Sequence, residues 1–240
     1  MKGFISKIER FEDGAASVFF KGCVHHCPWC CEAACQGAAA ADRPGVREVE
    51  AADLVAELLT QPLQQLTLSG GEPLMQCDFA TELCSLLKQQ QEVFIILETC
   101  GDVPPPQIIP ILPYIDLIRF DIPDSNDMTY AANCGADPEM IYGNLFNLSR
   151  LGFPIQLTVP LIPDISNNKQ HMTNIAQILD EFGLHDVMLI PYVNCQEAWK
   201  AADFISPFYN IPDLSLDHAQ NLWGYLAQQG MYSVSIGSIK

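Results

Sequence analysis

Positive charge is scarce in this sequence. Twelve Lys and Arg stand against 29 Asp and Glu, giving a formal net charge of −17 over 240 residues. So acidic a chain repels phosphate backbones, which argues against nucleic acid as a partner. Long apolar runs are missing as well. Nothing approaches the roughly 18 consecutive apolar residues of a membrane helix. The opening "MKGFISKIERFEDG" lacks the apolar stretch of a secretion signal. A cytoplasmic protein without a membrane span is expected. No long linker, repeat or charge block divides the chain, and 49% hydrophobic residues suffice for one sizeable core. A single domain over 1–240 is therefore expected.

Cysteine is not scarce: there are ten. Five fall within "FFKGCVHHCPWCCEAACQG", at positions 23, 27, 30, 31 and 35. A reducing compartment disfavours disulfides and points clustered cysteines toward metal or catalysis. Cys77, Cys84, Cys100, Cys134 and Cys195 are scattered singly, as small buried hydrophobes commonly are. Cys23, Cys27 and Cys30 have C-x3-C-x2-C spacing. A structural zinc site takes four protein ligands and would recruit Cys31, Cys35, His25 or His26. A [4Fe–4S] cluster held by three thiolates keeps one iron open. Spacing alone leaves both metals in play. His25 and His26 read as solvent-facing loop residues rather than ligands.

Along the chain, β-rich apolar runs alternate with helical patterns. Strands are expected at 16–20, 65–71, 92–99, 114–121, 155–160 and 186–191, with "YSVSI" near the end. Between them, Leu54, Val55, Leu58 and Leu59 share one helical face. Asp78 is placed to cap a helix carrying Phe79, Leu83, Leu86 and Leu87. Met172, Ile175, Leu179 and Phe182 mark another helix, and 216–230 a late one. Strand–helix alternation implies parallel βαβ units. A full eight-stranded barrel takes about 250 residues. Roughly six core strands here predict an α/β fold, an incomplete (β/α)6 TIM-like barrel. Gly22-Cys23, Gly70-Gly71-Glu72, Glu98 and Asp121 collect just after strand C-termini, where such barrels build active sites.

The second informative motif is "LSGGEPLMQ", 68–76, after a strand. Two glycines allow close approach of a ligand to backbone, and Glu72 offers a carboxylate to an ammonium group. With "FFKGCVHHCPWC", this motif resembles the radical S-adenosylmethionine (SAM) superfamily. More narrowly it resembles the glycyl-radical-enzyme activases related to pyruvate formate-lyase activating enzyme. "ILETCG", "DLIRFDI", "EMIYGNLFNLSRLGFPIQLTVPLIP" and "LIPYV" follow in the family's order. The resemblance implies an oxygen-sensitive oxidoreductase of anaerobic metabolism. It implies one [4Fe–4S] cluster per chain on Cys23, Cys27 and Cys30, with SAM on the open iron. It implies a glycyl radical enzyme as protein substrate, flavodoxin or ferredoxin as electron donor, and a monomer. Gly70, Gly71 and Glu72 would hold the methionine amine, and Trp29 and Cys31 would line the SAM pocket. Glu98 and Asp121 would contact SAM or an associated cation. No catalytic residue is implied beyond the cofactor ligands.

Cys31 and Cys35 suggest a second cluster, but no cysteine follows in 37–50, so one cluster is expected. Arg43, Arg47 and Lys21 are candidates for a basic patch that docks an acidic electron donor. The chain also departs from the family's pattern. The usual Asp-Gly-Pro-Gly lead-in is Asp13-Gly14-Ala15-Ala16. Pro123, Thr158 and Val193 stand where a lysine, an arginine and a histidine are usual. Arg119 alternates in phase with Asp121 and is expected to turn inward, toward the SAM carboxylate or Asp121. Two rival readings remain: a small-molecule radical SAM enzyme similar to 7-carboxy-7-deazaguanine synthase, and a degenerate cluster-binding protein without activity.

Overall fold

A computed structural model describes residues 1–237. In chain order its strands are β1 (Lys2–Arg10), β2 (Ala15–Phe20), β3 (Arg47–Glu50), β4 (Gln65–Gly70), β5 (Phe94–Thr99), β6 (Leu117–Asp121), β7 (Ile155–Leu161), β8 (Asp186–Pro191) and β9 (Ser233–Ile236). The helices are α1 (Ala51–Leu58), α2 (Cys77–Gln90), α3 (Pro105–Ile108), α4 (Asp127–Cys134), α5 (Pro138–Arg150), α6 (Lys169–Phe182), α7 (Gln196–Ala201) and α8 (Leu216–Ala227). Among the described residues the strands form one open sheet in the order β3-β1-β2-β4-β5-β6-β7-β8-β9. From β2 to β9 every neighbouring pair is parallel. This is the expected incomplete barrel, with all six expected core strands.

The alternation of side chains explains the layers. Val18, Phe20, Leu66, Leu68, Leu97, Phe120, Leu157 and Leu189 are buried. They share a core with helix residues such as Leu54, Leu58, Phe79, Leu83, Ile175 and Leu179. The opposite face carries Ser17, Thr67, Ser69, Glu98, Arg119, Met188 and Ile190, which line a cavity of about 410 Å³. Residues of β2 and β8 meet across this one cavity, so the sheet curls without closing.

Local chemistry fixes the elements. Asn168 caps α6 by accepting from His171 N at 2.9 Å, and Gly183 ends it at φ +65°, where glycine carries no Cβ penalty. Asp78 does not cap α2. The helix begins two residues earlier than that cap would set it, at Cys77 after Gln76. The Gln76 amide is taken up elsewhere: it accepts from Phe4 N (2.7 Å) and donates to the carbonyls of Phe4 and Lys21, each at 2.8 Å. The sequence pattern also gave no sign of β1 and β3, which pair antiparallel with each other. Most of β1 is only half-buried and it carries three basic residues, so a two-sided apolar pattern is absent.

Phe79 packs edge-on to Phe20, ring centroids 5.8 Å apart, and fills the space a side chain at Gly3 would need. Phe79→Ala is expected to lower the unfolding free energy by about 3–5 kcal/mol. Met128→Ala, at a side chain 82% exposed, should change it by less than about 0.5 kcal/mol. Urea titration measures both, and equal effects would contradict this packing.

Candidate active site

The C-terminal ends of β2, β4, β5, β6, β7 and β8 and the loops behind them surround a cavity of about 250 Å³. Cys23, Cys27 and Cys30 all line it, with Trp29, Gly71, Glu98 and Asp121. The cysteine loop is fixed by its backbone. Gly22 N donates to Cys35 O (2.8 Å) and Cys23 N to Gly37 O (2.9 Å), while His26 N reaches Cys134 O at 3.0 Å. From the far side of the barrel, Trp199 Nε1 donates to Cys30 O (2.8 Å) and Ser206 Oγ to Pro28 O (2.5 Å).

The thiols are held in their neutral form by their surroundings. Burial, reinforced by the Glu72 carboxylate, raises Cys23. A hydrogen bond with Cys134, then burial, raises Cys27. Burial raises Cys30 to about 12. A bound cationic metal centre is what converts such thiols to thiolates. A structural zinc takes four protein donors at about 2.0–2.3 Å from one point, and among the described residues only three free cysteines line this cavity with the C-x3-C-x2-C spacing. Three soft sulfur donors spread around one cavity fit a polynuclear iron–sulfur cluster better than one zinc ion.

The glycine pair works by close approach. A Cβ on Gly71 would lie 2.0 Å from Gly22 O, and Gly70 has φ +102°. This lets Gly71 N donate to Phe20 O (2.9 Å) and Glu72 N to Gly22 O (2.7 Å). Gly71 reaches the cavity; Gly70 and Glu72 lie behind it. The Glu72 carboxylate accepts from Leu74 N (3.0 Å), Thr99 Oγ1 (2.9 Å), Cys100 N (2.9 Å) and Cys100 Sγ (3.1 Å). Burial raises its pKa and these donors pull it back.

Arg119 does turn inward, but not to Asp121. Its Nη1 meets Glu98 Oε1 at 3.1 Å and its Nε meets Gln156 Oε1 at 3.1 Å. Asp121 instead accepts from Thr158 Oγ1, the residue at the position of the family's usual arginine. Burial raises Asp121 from 3.8 to about 7, against the pull of the Thr158 hydroxyl. Pro123 lines the cavity in place of a lysine. Trp29 lines it too, packed edge-on to Phe208 at 5.8 Å.

Several expectations are corrected. His25 is not solvent-facing: it is 4% exposed, with Nε2 3.0 Å from Asp102 Oδ2 and its ring edge-on to Tyr130. Burial lowers its pKa. His26 is exposed as expected. Lys21 is no docking residue, because its buried ammonium donates to Gln36 O at 2.5 Å. Arg47 pairs with Glu57 and Arg43 donates to Ala202 O. Cys195 is not an isolated thiol: it forms a disulfide with Cys31, and Cys31 still lines the cavity. Cys35 is buried beside Ser6 Oγ. Sequence reading also passed over Tyr130, a buried cavity residue whose hydroxyl has no hydrogen-bond partner among the described residues. Its spacing four before buried Cys134, on the helix after Asp121, was the available signal.

Comparison with known proteins adds an independent line. The radical SAM superfamily profile matches residues 17–176. The chain is 28% identical over 207 residues to pyruvate formate-lyase 2-activating enzyme of Escherichia coli, covering 73% of this chain and 70% of that protein. It is 30% identical over 129 residues to isethionate sulfite-lyase activating enzyme of Desulfovibrio desulfuricans, covering 53% of this chain and 41% of that one. The chain thus spans less than half of the second relative. In fold it is similar to a radical SAM methyltransferase from Sphaerobacter thermophilus. The TM-score is 0.70 at 16% identity, over 96% of this chain and 68% of that one.

A raised carboxyl has a stability signature. The folded protein keeps the Asp121 proton between the unfolded value and about pH 7, so its contribution is present at low pH and lost as pH rises through 7. Asp121→Asn should therefore gain on the parent between pH 4 and 8, by roughly 1–3 kcal/mol at pH 8. Urea unfolding at both pH values checks this, and a pH-independent difference would contradict it.

Proposed function

This chain belongs to the radical SAM superfamily, and from that premise we propose that it activates a glycyl radical enzyme. The observation that carries the reading is the convergence of Cys23, Cys27 and Cys30 on one cavity beside the Gly71 backbone. When bound, a [4Fe–4S] cluster and SAM, the superfamily's cofactors, supply one-electron cleavage of the sulfonium and a 5′-deoxyadenosyl radical. Chemistry of that kind would serve hydrogen-atom abstraction from a glycine of a partner enzyme docked over the cavity.

The chain's own residues bind, orient and exclude. Cys23, Cys27 and Cys30, which line one cavity, would hold the cluster through their thiolates. Gly71, having no side chain, lets the methionyl end lie against backbone, with Gly70 setting the turn. Glu72 acts from behind: it fixes the ends of β4 and β5 rather than presenting a free carboxylate. Trp29 and the Cys31 side of the disulfide wall the cavity. Glu98 and Asp121 form its acidic floor, where Arg119 neutralises Glu98 and Thr158 steadies Asp121. Ile162, Ile190 and the Tyr192 ring add apolar surface to the lining and limit water at the reacting centre. The 1–240 chain works as one core domain and as a monomer, with flavodoxin or ferredoxin as electron donor.

Reconstituted protein reduced anaerobically with SAM is expected to release 5′-deoxyadenosine. Cys30→Ala should release no more than cluster-free protein. With a partner deuterated at glycine, deuterium should appear in the 5′-deoxyadenosine. Product formation equal in Cys30→Ala would overturn the cluster assignment. Deuterium-free product with a partner that nonetheless gains a glycyl radical would overturn direct hydrogen abstraction.

A further inference from the structure

The Cys31–Cys195 bond joins residues 164 apart in sequence, with Cα atoms 5.2 Å apart, a separation within the ordinary disulfide range. Cys31 lies in the loop after β2 and Cys195 in the loop after β8. β2 lies two places in from one edge of the open sheet and β8 one place in from the other, so the bond ties the two sides of the curled sheet together at the C-terminal end, one residue from Cys30.

Its two ends face different spaces. Cys31 lines both inner cavities. Cys195 lines an outer groove of about 620 Å³ with Asn194, Gln196, Glu197, Asn210 and Asp213. The bond therefore joins a residue of the inner cavity wall to a half-buried residue that borders the outer groove. It is also not the sole tether. Trp199, Ser206 and Arg43 hold the same two segments together through Cys30 O, Pro28 O and Ala202 O. The bond can open without detaching the β8–α7 segment from the cysteine loop.

We propose that Cys31–Cys195 is a thiol–disulfide exchange site for a dithiol reductant, tying the two sides of the sheet together when oxidised and loosening the 193–202 segment when reduced. A thiolate of the reductant attacks Cys195 Sγ in the outer groove. The S–S bond breaks and Cys31 leaves toward the cavity, taking a proton. The second thiol of the reductant resolves the mixed disulfide, leaving Cys195 as a thiol and the reductant as a disulfide. Two electrons and two protons pass in all. Intracellular disulfides of this kind are commonly transient and redox-sensing. The assignment rests on the position of the pair, not on the reaction proposed for the cavity.

The test uses the full-length protein, oxidised in air or treated under native conditions with dithiothreitol. It reads alkylation by peptide mass mapping and amide hydrogen exchange. Without reductant, Cys31 and Cys195 are expected as one linked, unalkylated pair. Mild dithiol should make both alkylatable and speed exchange over 193–202 by at least roughly tenfold, with the β4 and β5 core unchanged. Cys195→Ser and Cys31→Ser should exchange like the reduced protein. Alkylation of both cysteines in oxidised protein would overturn the proposal, as would a pair that resists native-state dithiol. Unchanged exchange on reduction, or in both serine variants, would overturn the loosening. A 5′-deoxyadenosine assay on separate, anaerobically reconstituted portions of the same protein keeps failure of the radical reaction distinct, since it leaves the alkylation and exchange results standing.

Discussion

The site rests on the buried carboxylate of Glu72. It gathers Leu74 N, the Thr99 hydroxyl and both Cys100 N and Sγ, while its own N–H reaches Gly22 O. Loops from three neighbouring strands are thus locked at one point directly behind the cavity wall. A buried charge survives only with such partners, and the partners are as costly to orphan as the carboxylate. Thr99 Oγ1 in turn accepts from Gly101 N, which extends the lock into the turn after β5.

That lock gives the glycines their meaning. Gly71 lies so near Gly22 O that no side chain fits, so the carboxylate clamp and the bare backbone are one device. It sets the loop after β4 against the cysteine loop, which the Trp199 and Ser206 hydrogen bonds hold from the other side. The polar inner layer follows a similar rule: Glu98, Arg119, Gln156 and Asp186 bond in series, so charges that face the barrel interior are satisfied within it.

The fold was legible because β2, β4, β5, β6, β7 and β8 carry compact apolar runs separated by helical periodicity. β1 and β3 were not, because an edge pair with charged, half-buried residues shows no such run. Of the cavity residues, Cys23, Cys27 and Cys30 were legible from their spacing, Gly71, Glu98 and Asp121 from their place at strand ends, and Trp29 from the family resemblance. Glu72 was legible from its motif, but its burial and its hydrogen bonds to Leu74, Thr99 and Cys100 depend on loops that meet only in the folded chain. His25 and Lys21 looked like surface residues because residue type does not reveal burial in a loop folded back on itself. The Cys31–Cys195 pair depends on how far the sheet curls, and no local pattern encodes a contact across 164 residues.

The central claim is that three cysteines hold a cluster with an iron open to SAM. Its most direct test is the electron paramagnetic resonance spectrum of anaerobically reconstituted, reduced protein, recorded with and without SAM. A [4Fe–4S]⁺ signal that shifts when SAM is added is the expected result. A cluster signal indifferent to SAM, or protein that takes up one zinc and no iron, would contradict it.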